Sequence, residues 1–229
     1  MALRIATWNV NSVRIRLDGV ARLAAEESPD VLCLQEVKVE SGAFPLAAFE
    51  ALGYRHHVLY GIKSYHGVAL LSRLPLQTSG TYDWCDRADG RHVHATLADG
   101  TELHNLYVPA GGDVPDPDAN DKFAHKLQFL REFTQWWGRH RPGKDRRILL
   151  GDLNVAPLET DVWSHKQLLG VVSHTPIEVE HLERLQAAHG WVDAVRHFVP
   201  PDQKLFSWWS YRAQDWSLSD RGRRLDHVW

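Results

Sequence analysis

The chain has 229 residues, 44% hydrophobic and 24% charged, with a formal net charge of −3. That length suits one domain, taken here as residues 1–229, and supplies a sizeable core. No stretch is long and apolar enough for a membrane span, and Met1-Ala2-Leu3-Arg4-Ile5 lacks the apolar run of a signal peptide.

Cys33 and Cys85 are far apart and show no Cys-x-x-Cys spacing, which argues against a disulfide framework or a zinc ribbon and fits a reducing cytoplasm. The net charge argues weakly against a nucleic-acid partner, because phosphate binding needs local positive charge. Basic residues do cluster, from Arg139 to Arg147 and from Arg221 to Arg224, so the field can be uneven. A solvated surface is the better reading of the first cluster.

In chain order, Leu3–Asn9 alternates as a strand, with Leu3, Ile5 and Thr7 on one side. An amphipathic helix follows over Arg16–Glu27, with Leu17, Val20, Leu23 and Ala24 at helical spacing, and Ser28-Pro29-Asp30 stops it. Val31–Leu34 is an apolar run suited to a buried strand, and it ends on Gln35-Glu36. Strands are predicted at Tyr54–Tyr60, Gly67–Leu71, His92–Leu97 and Glu102–Val108, the last two joined by a hairpin at Asp99-Gly100. A long helix is predicted over Asn120–Arg139, a buried strand over Arg147–Leu150 and a helix over Glu178–Ala188. Phe206–Tyr211 and Leu225–Trp229 read as strands. Hairpins stand between helices without regular strand–helix alternation, so the expected fold is α+β: two mixed sheets packed face to face, helices outside.

Three strand ends share a design: an apolar strand terminates in polar residues at Asn9-Val10-Asn11, Gln35-Glu36 and Asp152-Leu153-Asn154. Rigid strand ends are good places to fix catalytic geometry. Asn, Glu and Asp offer hard oxygen ligands, favouring Mg²⁺ or Mn²⁺ over zinc. Taken singly, each Asp or Asn is more often a turn former.

Six ordered segments carry a resemblance: Thr7–Arg14 (TWNVNSVR), Leu34–Lys38 (LQEVK), His66–Ser72 (HGVALLS), Tyr107-Val108-Pro109, Gly151–Asn154 (GDLN) and Phe206–Arg212 (FSWWSYR). Together they resemble the successive motifs of the exonuclease III and abasic (AP) endonuclease family, over essentially the whole chain. The resemblance implies a four-layer α/β/β/α sandwich. It implies a DNA-repair nuclease that hydrolyses phosphodiesters at abasic sites in duplex DNA, with 3′-to-5′ exodeoxyribonuclease and 3′-phosphodiesterase activity. Glu36 would be the main metal carboxylate, with Asn9 and Asn11 beside it. Tyr107 would sit by the scissile phosphate as phenol or phenolate. Asp152 would handle a proton of the water or of the leaving oxygen, and Asn154 would bond a nonbridging oxygen or the water. Asp226 matches the Asp that orients a catalytic histidine. Arg14 and Arg212 would contact DNA, and Trp208 would wall the pocket for a flipped-out sugar. The partner would be duplex DNA with abasic sites or 3′ ends, and the protein a monomer.

The sequence departs from the family in two places. Ala110 stands where the family carries an amide, leaving the backbone of Gly111 and Gly112 as a substitute. The family's closing Ser-Asp-His motif is missing: the sequence stops at Trp229, within the strand that carries Asp226. His227 points away from any site that Asp226 faces, because strand neighbours alternate. We therefore expect an incomplete C-terminal segment, very low nuclease activity if the chain ends there, and, as the alternative function, a catalytically impaired binder of damaged DNA. An inositol or lipid phosphatase of the broader superfamily is a third reading, which Trp208-Trp209 and Arg224-Leu225-Asp226 disfavour.

Overall fold

The computed structural model describes residues 2–139, 146–211 and 215–229. The chain forms two compact units, Met1–Tyr107 with Lys144–Asp152, and Val108–Gly143 with Leu153–Trp229.

The first unit holds two mixed sheets. One is built from β1 (Ile5–Asn9), β2 (Val31–Gln35), β4 (Val68–Ser72) and β3 (His56–Tyr60), in that order. The β1–β2 pair is parallel and the others antiparallel. The other sheet runs β5 (Leu76–Trp84), β6 (Arg87–Leu97), β7 (Glu102–Tyr107), β8 (Arg147–Asp152), antiparallel until the parallel β7–β8 pair. Both faces of β2 and β4 are covered, so every residue of each is buried. Leu32, Leu34, Ala69 and Leu71 face α1 (Leu17–Glu26) and α2 (Leu46–Ala51), where Val20, Ala24 and Phe49 complete a core. On the opposite face two buried amides tie the sheets together. Gln35 Nε2 donates to Asn105 Oδ1 at 2.6 Å, and Asn105 Nδ2 donates to the carbonyls of Leu34 and Ala69.

The second unit carries α3 (Asp121–Arg139), α4 (His165–Leu168), α5 (Pro176–His189), α6 (Ala194–Phe198), α7 (Trp216–Ser219) and a short β9 (Asp226–Val228). α3 and α5 pack on one another. α5 starts with Thr175 as N-cap, Pro176 at the first helical position and Glu178 closing a capping box; Gly190 ends it at φ 71°. The predicted start at Glu178 therefore falls two residues inside the helix.

Three expectations are corrected. β5 was not foreseen, because Gln77-Thr78-Ser79-Gly80-Thr81 lacks an apolar alternation; it is an edge strand, mostly exposed, with two register shifts. The strand at Tyr54–Tyr60 begins only at His56, with Tyr54 buried and its hydroxyl donating to the Pro29 carbonyl. Phe206–Tyr211 is not a strand: Trp208 makes one isolated bridge to Arg223. The Ser207 hydroxyl accepts from the N–H groups of Leu225 and Asp226, so a side chain takes donors that a ladder would use.

Candidate active site

The first unit gathers five of the candidate residues. Tyr107 and Asp152 end β7 and β8 and are register partners. Register partners project to the same face, here the one on which Asn105 meets the first sheet. Gly151 is required by this approach: it sits at φ 131°, and a Cβ there would lie 2.1 Å from the Leu106 carbonyl oxygen. Asn9 ends β1. Glu36 follows β2 with φ 52°, a left-handed turn that breaks the alternation beyond Gln35 and brings its carboxylate back to Asn9 and Tyr107. The loops beyond β1 and β2 are stitched by Ser12 N–H to the Glu36 carbonyl at 2.7 Å and Val13 N–H to Val37 at 3.2 Å.

The side chains form one hydrogen-bonded line. Asn9 Nδ2 donates to Glu36 Oε1 and to Asp152 Oδ2, each at 2.8 Å. The Tyr107 hydroxyl donates to the same Glu36 Oε1 at 2.9 Å. Glu36 Oε2 lies 2.7 Å from Lys38 Nζ, which also donates to Asn11 Oδ1. Asn9 thus turns its amide nitrogen, not its oxygen, to the two carboxylates; its oxygen accepts from Asn11 N–H at 3.1 Å.

The charges follow from these contacts. Burial pushes the Glu36 carboxyl up, but hydrogen bonds from Asn9, Lys38 and Tyr107 outweigh it and hold the group below its usual range, as an anion. Burial pushes the Tyr107 phenol well above its usual value, reinforced by the Glu36 and Asp152 carboxylates and opposed by Arg91. At neutral pH Tyr107 is therefore a phenol, a hydrogen-bond donor.

The donor set fits a hard divalent cation. Glu36 Oε2 and Asn11 Oδ1 already converge on one positive group, the Lys38 ammonium, which marks where a cation is stabilised. The described residues contain no cluster of three or more His, Cys, Asp and Glu suited to a metal. A hard divalent ion typically takes one or two carboxylates and completes its shell with water and substrate oxygen.

Arg14 is exposed and donates to the Ala43 carbonyl at 3.2 Å, outside this line. Three functional neighbours carried no role in the sequence reading: Lys38 and His66, though both stood inside quoted motifs, and Arg91, which no motif marked. Arg91 is buried; its guanidinium centre lies 5.2 Å from the Tyr107 ring centroid.

The second unit holds Asn154, Asp226 and Trp208. Asn154 adopts φ 54°; its Nδ2 donates to the Val108 carbonyl at 2.9 Å, and its own carbonyl accepts from Lys126 Nζ at 2.7 Å. Asp226 accepts from the Ser207 hydroxyl at 2.7 Å, and burial lifts its carboxyl to about 6 against the pull of Ser207 and Arg224. His227 points the other way: it is buried with Nε2 2.8 Å from the Val155 carbonyl, and burial with the nearby Arg224 charge drops it to about 3. It is neutral at physiological pH. Trp208 packs against the cluster of Ala156, Val162, Leu168 and Leu225, with the Arg223 guanidinium 5.7 Å from its ring. The Arg221–Arg224 cluster is largely spent internally: Arg224 is buried and clamps both oxygens of Asp193 at 2.7 Å, while Arg223 donates to Val172 O and Ser173 Oγ. Arg212 lies outside the described residues.

Residues 6–229 match the family model described as Endonuclease/Exonuclease/phosphatase family. The chain is similar to the exodeoxyribonuclease III of Haemophilus influenzae, at 28% identity over 99% of this chain and 86% of that protein. It is also similar to the exodeoxyribonuclease of Bacillus subtilis, at 30% identity over 98% and 86%. Among solved structures, an AP endonuclease from Archaeoglobus fulgidus superposes with a TM-score of 0.90 at 31% identity, covering 99% of this chain and 86% of that one. A 3′ phosphatase from Neisseria bound to a product DNA hairpin gives 0.88 at 31% identity, over 99% and 86%. The fold shared with them is the expected α+β arrangement of two mixed sheets with helices.

Proposed function

The chain belongs to the Endonuclease/Exonuclease/phosphatase family as a DNA-repair nuclease of the exonuclease III and AP endonuclease type, and we propose that it nicks duplex DNA at abasic sites and trims 3′ ends as a 3′-to-5′ exodeoxyribonuclease and 3′-phosphodiesterase. The observation that carries the proposal is the line Tyr107–Glu36–Asn9–Asp152, with the Lys38 ammonium shared between Glu36 and Asn11 beside it.

A phosphodiester is an anion and repels hydroxide, so catalysis must offset charge and move a proton. Glu36 and Asn11 would hold Mg²⁺ or Mn²⁺, which when bound offsets charge on the phosphate oxygens and on the departing oxygen. Asp152 takes a proton from the attacking water as its oxygen bonds to phosphorus and the bond to O3′ breaks; O3′ leaves with a proton from solvent. Asn9 donates to both carboxylates and keeps them at a fixed separation. The Tyr107 phenol, whose single proton points to Glu36 Oε1, would turn that proton to a nonbridging oxygen when the phosphate binds, where charge builds. Asn154, Asp226, Trp208, Arg14 and Arg212 are assigned to proton handling and DNA contact on the family resemblance alone. The wide separation of Cys33 and Cys85, both buried, with no Cys-x-x-Cys spacing, supports a reducing compartment such as the cytoplasm.

The test is a duplex with one abasic site, incubated with Mg²⁺ and then with EDTA. Nicking 5′ to the lesion that EDTA abolishes is the expected result. Binding without cleavage in Mg²⁺ would point instead to a damage binder, and release of phosphate from inositol phosphates with indifference to DNA would overturn both.

A further inference from the structure

Arg91 is an expensive residue to place where it lies. It is only 5% exposed, and a buried cation is tolerated only when each donor is used. Its Nε pairs with Asp89, its Nη1 donates to the Tyr107 carbonyl at 3.3 Å, and its Nη2 lies 3.2 Å from His66 Nε2. Arginine can only donate, so His66 Nε2 accepts, and His66 is the neutral tautomer with its proton on Nδ1. The β6–β7 register pairs His92 with Leu106; carried one step further, it sets Arg91 opposite Tyr107 on the same face. The guanidinium therefore meets Tyr107 twice, at its backbone and over its ring. The His66 ring lies 6.0 Å from the Tyr107 ring, centroid to centroid.

We propose that Arg91, braced by His66, is the positioning residue for Tyr107: it fixes the ring, and so the place from which the hydroxyl turns from Glu36 to meet the substrate phosphate. This rests on the nuclease reading for its kinetic consequence, though not for its structural one. Arg91 does not touch the reacting atoms and acts through Tyr107. A Lys at position 91 supplies the charge but not the planar fork that reaches Tyr107 O, His66 and Asp89 together, so charge alone is insufficient.

Two measurements test the proposal. In the nicking assay, R91M and R91K should lower kcat by about 10- to 100-fold, as a small misplacement of a reacting group does, with KM for the abasic duplex unchanged. The R91M/Y107F double variant should be no slower than Y107F alone, because a residue acting only through Tyr107 has nothing left to act on. A merely structural role would instead multiply the two losses, and that outcome overturns the proposal. H66L, a gentler change, should cost a few-fold and be equally silent in the Y107F background.

The second measurement does not depend on activity. Of six tyrosines labelled with ¹³C at Cζ, the Tyr107 resonance is identified by its loss in Y107F. It should move in both R91M and H66L, whereas Tyr65, whose ring lies 6.1 Å from that of His66, moves in H66L alone. If the wild-type chain fails to cleave DNA, the nuclease reading falls, and the resonance still decides the role of Arg91. An unmoved Tyr107 signal overturns it in either case.

Discussion

Lys126 and Glu178 offer the most direct quantitative test of the second unit. Both side chains are fully buried and paired. Lys126 Nζ also donates to the carbonyls of Asn154 at 2.7 Å and Ala110 at 3.3 Å. Glu178 accepts in addition from Ser173 N–H, Thr175 N–H and the Thr175 hydroxyl. In Lys126→Met most of the volume is refilled, so the cavity contribution is small and the loss is electrostatic. Removing one partner of a buried ion pair costs about 3–5 kcal/mol. The remaining donors to Glu178 favour the lower end of that range, while the two carbonyls that lose a donor add to the cost. At about 2–4 °C per kcal/mol for a chain of this length, a loss of about 3 kcal/mol lowers Tm by roughly 6–12 °C. The Lys126→Met/Glu178→Gln double variant should recover part of the loss, because glutamine removes the stranded charge and keeps an acceptor at the helix cap. Thermal melts at pH 7.5 on Lys126→Met, Glu178→Gln and the double variant provide the readout. A single variant within about 1 kcal/mol of wild type, or a double variant worse than the sum of the singles, would refute the reasoning.

Acid should unfold the protein early. Trp84 Nε1 can only donate, so it makes His92 Nδ1 an acceptor at 3.3 Å; His92 Nε2 then donates to His104 Nδ1 at 2.9 Å, and His104 Nε2 lies 3.1 Å from Glu102 Oε1. Burial holds His92, His104 and His227 neutral, all below their ordinary value. The unfolded chain protonates them near pH 6.5, so stability is complete above that pH and falls below it. For His227, held at about 3, the loss from pH 6.5 to 5 is about 2 kcal/mol, at roughly 1.36 kcal/mol per unit. Asp226, lifted to about 6, binds a proton in the folded state over the same range and offsets about 1 kcal/mol of it, so His92 and His104 carry the rest of the fall. A Tm unchanged between pH 7.5 and 5 would exclude this. Asp152→Asn should lower kcat by about 10²–10⁴ in the nicking assay, as loss of a general base does; activity within threefold of wild type removes it from proton transfer. Glu36→Gln should weaken Mn²⁺ binding, measured by electron paramagnetic resonance on the DNA-free protein. Equal affinity would place the cation elsewhere.

The sequence alone determined the order of most elements and the ends of β1, β2 and β8, because apolar period and turn chemistry are local properties. It also identified Asn9, Glu36 and Asp152 as candidates, since each stands at or just beyond the point where an apolar run stops, while Tyr107 entered through the family resemblance alone. What it left out depends on contacts between distant segments. β5 has no apolar alternation and exists only because β6 offers it an edge. Ser207 takes the backbone donors of Leu225 and Asp226, which breaks the strand that Phe206–Tyr211 otherwise suggests. The left-handed turn at Glu36, rather than its residue type, brings its carboxylate to Asn9 and Tyr107. Arg91 lies 16 residues from Tyr107 along the chain and is linked to it only by the β6–β7 register. Lys38 acquires its role as a held cation because the loops beyond β1 and β2 close on one another. Residue chemistry along the chain named the participants; the register of the sheets and three left-handed residues of the first unit, Asn11, Glu36 and Lys38, decided which of them meet.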